Sequence, residues 1–229
     1  MRSGESHIFE PIGVQGLPHI IISICIHGGA DLRTIIFDTE TTGLKPGNIC
    51  QLAYIIEDGR SLTGTNHFFK VDYIEPGAEN VHGFSVDRLA GLSGGQEFSE
   101  HAGRIYEDFG SCYLWIAHNF SFDNLFLTAE FRRCGMFLKA EKQFCTMRYY
   151  TPIVKLPPNR ARSASQYKYP NLSELMAYFN VTEDEAMIFS RDIFSIDEKD
   201  IDRHDARFDC AATYMCYVKG SAAGYNIPD

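Results

Sequence analysis

The chain has 229 residues, 45% of them hydrophobic and 22% charged, with a formal net charge of −9. This length and apolar fraction suit one domain with a sizeable core and exclude a globally disordered chain. The acidic balance argues against binding nucleic acid by bulk charge. Seven cysteines without a Cys-x-x-Cys pair or zinc-ligand spacing predict reduced thiols in a cytoplasmic protein.

Residues 1–31 mix Gly, Pro and His with one apolar run at 20–26. That run is far shorter than the roughly 20 residues that span a bilayer. A weak basic start, Glu5 and Pro18 fit a signal peptide poorly. The expected organisation is an extension of uncertain order over 1–31, a domain over 32–221 and a tail over 222–229. The protein is expected to be soluble, with no membrane partner.

From residue 33 the pattern becomes regular. Residues 34–38 are apolar and β-branched and read as a buried strand. Strands over 49–57 and 62–71 follow, joined by a hairpin turn at Asp58-Gly59. Apolar residues at helical spacing place a helix at 98–109, and 112–117 reads as a second buried strand. Helices are expected over 121–134, stopped by Gly135, and over 147–154, after a short strand at 144–146. The proline-rich stretch 155–170 reads as a long loop, a length that points to function. Helices over 171–179 and 205–219 close the domain. Strands first, then helices alternating with strands, predict an α/β domain with a mixed sheet.

Charge is unevenly spread. Nine basic residues lie between Arg132 and Lys168, against the single acid Glu141. Such a segment suits a surface that tracks phosphates, and equally a solvated face with a loop.

Three blocks carry the chemistry: Phe-Asp-Thr-Glu-Thr-Thr-Gly-Leu at 37–44, His-Asn-Phe-Ser-Phe-Asp-Asn at 118–124 and His-Asp-Ala-Arg-Phe-Asp at 204–209. Asp38 and Glu40 stand two apart at a strand end, so both side chains share one face. Alone, such a pair also suits ordinary turn acids. Thr41, Thr42, Gly43 and Leu44 offer N–H groups, hydroxyls and a close backbone approach for a terminal nucleotide, with Leu44 able to wedge against a base. Asp123 falls in the first turn of a helix after a buried strand, at the sheet edge where α/β sites gather. An acid there also simply suits the helix dipole. His118 and Asn119 are expected to cap that helix or orient its loop. His204 and Asp209 are five apart and would diverge on one helix. His204 is therefore expected before the helix, Asp205 at the N-cap and Asp209 pointing inward. Four carboxylates and a histidine meet the needs of a two-metal phosphodiesterase. The acids hold hard cations, and a histidine exchanges protons near neutral pH.

These blocks resemble the three motifs of the DEDDh, or DnaQ-like, 3′–5′ exonucleases, a family that includes the proofreading subunit of bacterial DNA polymerase III. Val-His-Gly-Phe-Ser at 81–85 and Tyr-Pro-Asn-Leu-Ser-Glu-Leu at 169–175 are also similar to family segments. The resemblance covers roughly 34–219. It implies an RNase H-like fold, a mixed five-stranded sheet flanked by helices. It also implies two Mg²⁺ or Mn²⁺ ions held by Asp38, Glu40, Asp123 and Asp209, with His204 as general base. The implied partner is nucleic acid with a free 3′ end, single-stranded DNA favoured, with a polymerase as a further partner on the reading as an unlinked proofreading subunit. The implied product is a nucleoside 5′-monophosphate. Asn119, Arg160, Arg162 and Lys168 are the further expected substrate contacts. An oligoribonuclease-like RNA exonuclease and a catalytically idle binding module on the same fold are the alternatives.

Overall fold

In the computed structural model, residues 32–59, 61–158, 166–196, 204–225 and 227 are described. The expected extension 1–31, Arg160 and Arg162 lie outside them. Three strands open the fold: β1 (Thr34–Thr41), β2 (Ile49–Asp58) and β3 (Ser61–Phe68). Three helices follow, α1 (Pro76–His82), α2 (Val86–Leu92) and α3 (Phe98–Gly110), then β4 (Leu114–Ala117), α4 (Phe120–Arg133) and β5 (Lys142–Cys145). The chain ends in α5 (Thr146–Val154), α6 (Leu172–Tyr178), α7 (Glu183–Phe194) and α8 (Ala206–Ala222).

The sheet order is β3-β2-β1-β4-β5. β1, β2 and β3 form an antiparallel meander, whereas β4 and β5 run parallel to β1. This is the expected mixed, helix-flanked sheet of the RNase H-like fold. The hairpin turns at Asp58-Gly59, where Gly59 has φ 58°, a conformation glycine adopts without steric cost.

β1 is apolar on both faces because both are covered. On one face Ile36, Ala53, Ile55, Ile116 and Phe144 pack under the C-terminal helices. On the other, Ile35, Phe37, Leu52, Tyr54 and Trp115 pack under α3 and α4. Each large apolar side chain buried this way contributes about 1.5–3 kcal/mol. α8 lies across β1 and β2 with α6 and α7 beside it. That is why it is buried nearly all round and carries the small residues Ala206, Ala211 and Ala212 against its neighbours.

Several readings of the sequence need correction: β3 ends at Phe68, short of the expected 71, and α1 lies in a stretch not read as a helix. α7 falls in a stretch not read as a helix, although Thr182 and Glu185 form a capping box at its start, a signal visible in the sequence. Asn119 occupies the N-cap of α4, but its side chain makes no capping hydrogen bond. The expected loop 155–170 has no helix or strand in its described parts. Among the described residues, six cysteines are free, and no helix is long and apolar enough to cross a membrane.

Gly64 shows how tightly α7 seats on β3. A Cβ there would lie 2.5 Å from the Ile193 carbonyl oxygen, and backbone cannot swing aside. Gly64→Ala is expected to lower stability by about 1–3 kcal/mol. Urea unfolding of the variant checks this, with a shifted midpoint and an unchanged slope.

Candidate active site

The three blocks meet at the C-terminal end of β1. Asp38 and Glu40 project from the same face of this strand. Glu40 lies opposite Gln51 of β2, and the register slips between Glu40 and Thr41. Such an irregularity re-aims side chains next to a site. Asp209 comes from the first turn of α8. Asp38, Glu40 and Asp209 each offer an oxygen within 4.8 Å of the other two. Asp123 arrives from the other side of the sheet, in the first turn of α4, and is 3% exposed. Its Oδ1 accepts from the Thr39 N–H at 3.1 Å and the Thr39 hydroxyl at 2.8 Å.

Crowding these acids, Asp123 buried and the other three half-buried, disfavours their charged forms. Burial, then the charges of Asp123, Asp209 and Glu40, holds the Asp38 carboxyl well above the usual range. Burial, then Asp209 and Asp123, does the same to Glu40. Burial pushes Asp123 up to about 7 against the pull of its Thr39 hydrogen bonds. It pushes Asp209 up to about 6, with His204 opposing. Clustered carboxylate oxygens that repel one another are the hard donor set that Mg²⁺ or Mn²⁺ takes, and a divalent cation reverses that repulsion.

His204 precedes α8, is exposed, and has φ 62°. A non-glycine residue in that left-handed conformation stores about 1–3 kcal/mol of strain. Its charge is felt at Asp209, which puts the imidazole at the rim of the acidic cluster. Asp205 caps α8 by accepting from the Arg207 N–H at 2.9 Å.

The exonuclease family model (RNase_T) matches residues 35–187. The chain belongs to this exonuclease family. The match ends before His204 and Asp209, so it is the tertiary structure that joins the third block to the first two. No curated protein matches the chain by sequence. Among solved structures, the chain resembles E. coli Exonuclease I in complex with a dA16 oligonucleotide. The TM-score is 0.60 at 17% identity, over 83% of this chain and 41% of that one. It also resembles Exonuclease I from Methylocaldum szegediense, with a TM-score of 0.62 at 17% identity, over 83% and 40% of the two chains. These likenesses establish a shared fold, over well under half the length of those proteins.

On the expected substrate side, the chain holds the loop after β1 firmly. The Thr41 hydroxyl donates to the Gly43 carbonyl at 2.9 Å, and the Thr42 hydroxyl accepts from the Asn48 N–H at 3.0 Å. A Cβ on Gly43 would lie 2.4 Å from the Glu75 carboxyl carbon, so glycine lets that carboxylate sit over the loop. Leu44 is 84% exposed. Farther out, Lys168 pairs with Glu174 at the start of α6. His118 does orient the neighbouring loops, through Thr146 Oγ1 at 3.0 Å and the Pro170 carbonyl at 3.1 Å. Burial pushes its imidazole down to about 4, so it works as a neutral tether.

Sequence reasoning missed Glu130 and Gln51. Glu130 accepts from the Ile49 N–H at 2.9 Å and pairs with Arg133, whose Nη2 reaches the Gly47 carbonyl at 2.8 Å. Both residues thereby anchor the β1–β2 loop from α4. An acid at helical spacing among Phe126, Leu127 and Phe131 was the one available signal. Gln51, mid-strand in β2, carried none.

Proposed function

We propose that this exonuclease removes nucleoside 5′-monophosphates one at a time from the 3′ end of nucleic acid, with single-stranded DNA favoured over RNA. The observation that carries the reading is the convergence of Asp38, Glu40 and Asp209 within 4.8 Å, with Asp123 beside them and His204 at the rim. Exonuclease I has been crystallised with dA16 and dT13 oligonucleotides, and with zinc and single-stranded DNA, which supports DNA and a metal for this chain.

Asp38, Glu40, Asp123 and Asp209 would hold two divalent cations, Mg²⁺ or Mn²⁺. Bound there, the cations supply Lewis-acid stabilisation of charge on the attacking and leaving oxygens. The residues do the rest. Thr39 fixes the Asp123 carboxylate through two hydrogen bonds. His204 Nδ1 or Nε2 accepts the proton of the attacking water as general base. The Thr41–Leu44 loop grips the terminal nucleotide through its N–H groups and hydroxyls, and Leu44 packs against the last base. A polymerase partner, and a likeness to the proofreading subunit in particular, belong to the same proposal.

The test is digestion of matched, 5′-labelled single-stranded DNA and RNA of equal sequence, with Mg²⁺ or EDTA. The expected result is a metal-dependent ladder shortening from the 3′ end, faster on DNA. A faster RNA ladder would turn the reading to the oligoribonuclease-like alternative. Intact strands with folded protein and Mn²⁺ present would make the chain a binding module.

A further inference from the structure

His204 carries the proposed general base on a strained, exposed residue, so something must hold it in place. The surroundings of Asp205 supply the means. Asp205 is 2% exposed and uses both carboxylate oxygens. Oδ1 accepts from Gln51 Nε2 at 2.8 Å, from the Arg207 N–H at 2.9 Å and from Arg207 Nε at 2.8 Å, and Oδ2 accepts from Arg207 Nη2. Gln51 is fully buried. It donates also to Asn66 Oδ1 at 2.9 Å, while its own Oε1 accepts from the Ala206 N–H at 3.1 Å. The Arg207 guanidinium sits 5.4 Å from the Phe68 ring centroid. Three adjacent residues after His204 are therefore tied to β2 and β3, at the level where Gln51 lies directly opposite Glu40.

We infer that Gln51, Asp205 and Arg207 are positioning residues that clamp the start of α8 to the strand next to the metal-bearing one, and so hold the His204 turn over the carboxylates. The inference rests on His204 acting as the general base. A two-point guanidinium–carboxylate grip has the directionality this needs. It also offsets a fifth carboxylate beside the cluster, since the charge of Asp205 is felt at Asp38, Glu40 and Asp209. Removing Arg207 alone would strand a buried charge and threaten folding. The informative variant is therefore Gln51→Met with its β3 partner Asn66→Ala, which cuts both hydrogen bonds from β2 to the start of α8 and leaves the Asp205–Arg207 pair and the helix cap in place.

The double variant is expected to keep its thermal midpoint, its KM and its Mg²⁺ half-saturation within twofold, and to lose about 10²-fold in kcat, the usual effect of misplacing a reacting group by about 1 Å. Added to His204→Ala, the same pair is expected to cost less than threefold, because the group it positions is gone. An unchanged kcat, or an equal loss in both backgrounds, would overturn the clamp. A second readout needs no activity. In metal-free protein with ¹³C-labelled histidine, the His204 ring should give one sharp signal in the parent and a broadened or split one in the double variant. An unaltered His204 signal would overturn the clamp. A parent enzyme that cleaves nothing, or a fully active His204→Ala, would instead overturn the catalytic reading, while the spectrum still decides whether the pair holds the turn.

Discussion

Asp38→Asn is expected to abolish cleavage, lowering kcat by at least about 10³-fold, or ~4 kcal/mol of transition-state stabilisation, while the protein stays folded. The reason lies in where Asp38 sits. It is the member of the cluster whose carboxyl is raised by all of Asp123, Asp209, Glu40 and Asp205, so it stands at the electrostatic centre. Any cation that Asp38, Glu40 and Asp209 would hold together would lose one of its three close carboxylates when Asp38 becomes an amide. His204→Ala should cost less, about 10²–10⁴-fold, because the cations remain and water can still lose a proton slowly. Single-turnover cleavage of a labelled oligonucleotide, with each variant's circular dichroism beside it, makes the comparison. Near-full activity in Asp38→Asn would move the catalytic centre elsewhere.

Stability should respond to the same residue with the opposite sign. A carboxyl whose folded pKa is raised contributes stability that is complete below its unfolded value and is lost as pH rises through the folded value. Asp209 is pushed up to about 6 and Asp123 to about 7, with Asp38 and Glu40 also raised. The metal-free protein should therefore lose melting temperature steadily from roughly pH 4 to pH 8. Mg²⁺ should restore it, more at pH 8 than at pH 5, since protons and cations compete for the same oxygens. At a hundredfold excess over Kd, binding adds about 2.7 kcal/mol, a rise of roughly 5–10 °C for a domain this size. Without metal at pH 8, Asp38→Asn should melt above the parent, because one of the repelling charges is gone, and its response to Mg²⁺ should shrink sharply. Thermal scans at pH 5, 6.5 and 8, with EDTA or Mg²⁺, test all of this. A metal-free midpoint that rises with pH would contradict the crowded-carboxylate account.

The strands and helices that carry the site were legible because each depends on local pattern. The β-branched run at 34–38, the Asp58-Gly59 hairpin and the buried run at 112–117 each appear as β1, the β2–β3 turn and β4. Asp205 as N-cap, with His204 outside α8, followed from helical geometry alone. α7 was legible in principle through its Thr182–Glu185 capping box, a start signal that apolar periodicity does not carry.

By itself, the sequence determined the three chemical blocks, the residue types in them and the faces on which they stand, because spacing along a strand or helix settles side-chain direction. Tertiary structure decided what those blocks do together. Long-range pairing brings Asp209 within 4.8 Å of residues some 170 positions earlier, and no local pattern encodes that distance. It also decided that Thr39 pins Asp123, that Glu130 anchors a loop 81 residues away, and that a mid-strand glutamine ties β2 to the start of α8. These partners are invisible in one dimension because a buried polar side chain declares its role only when the group it must satisfy has been folded against it.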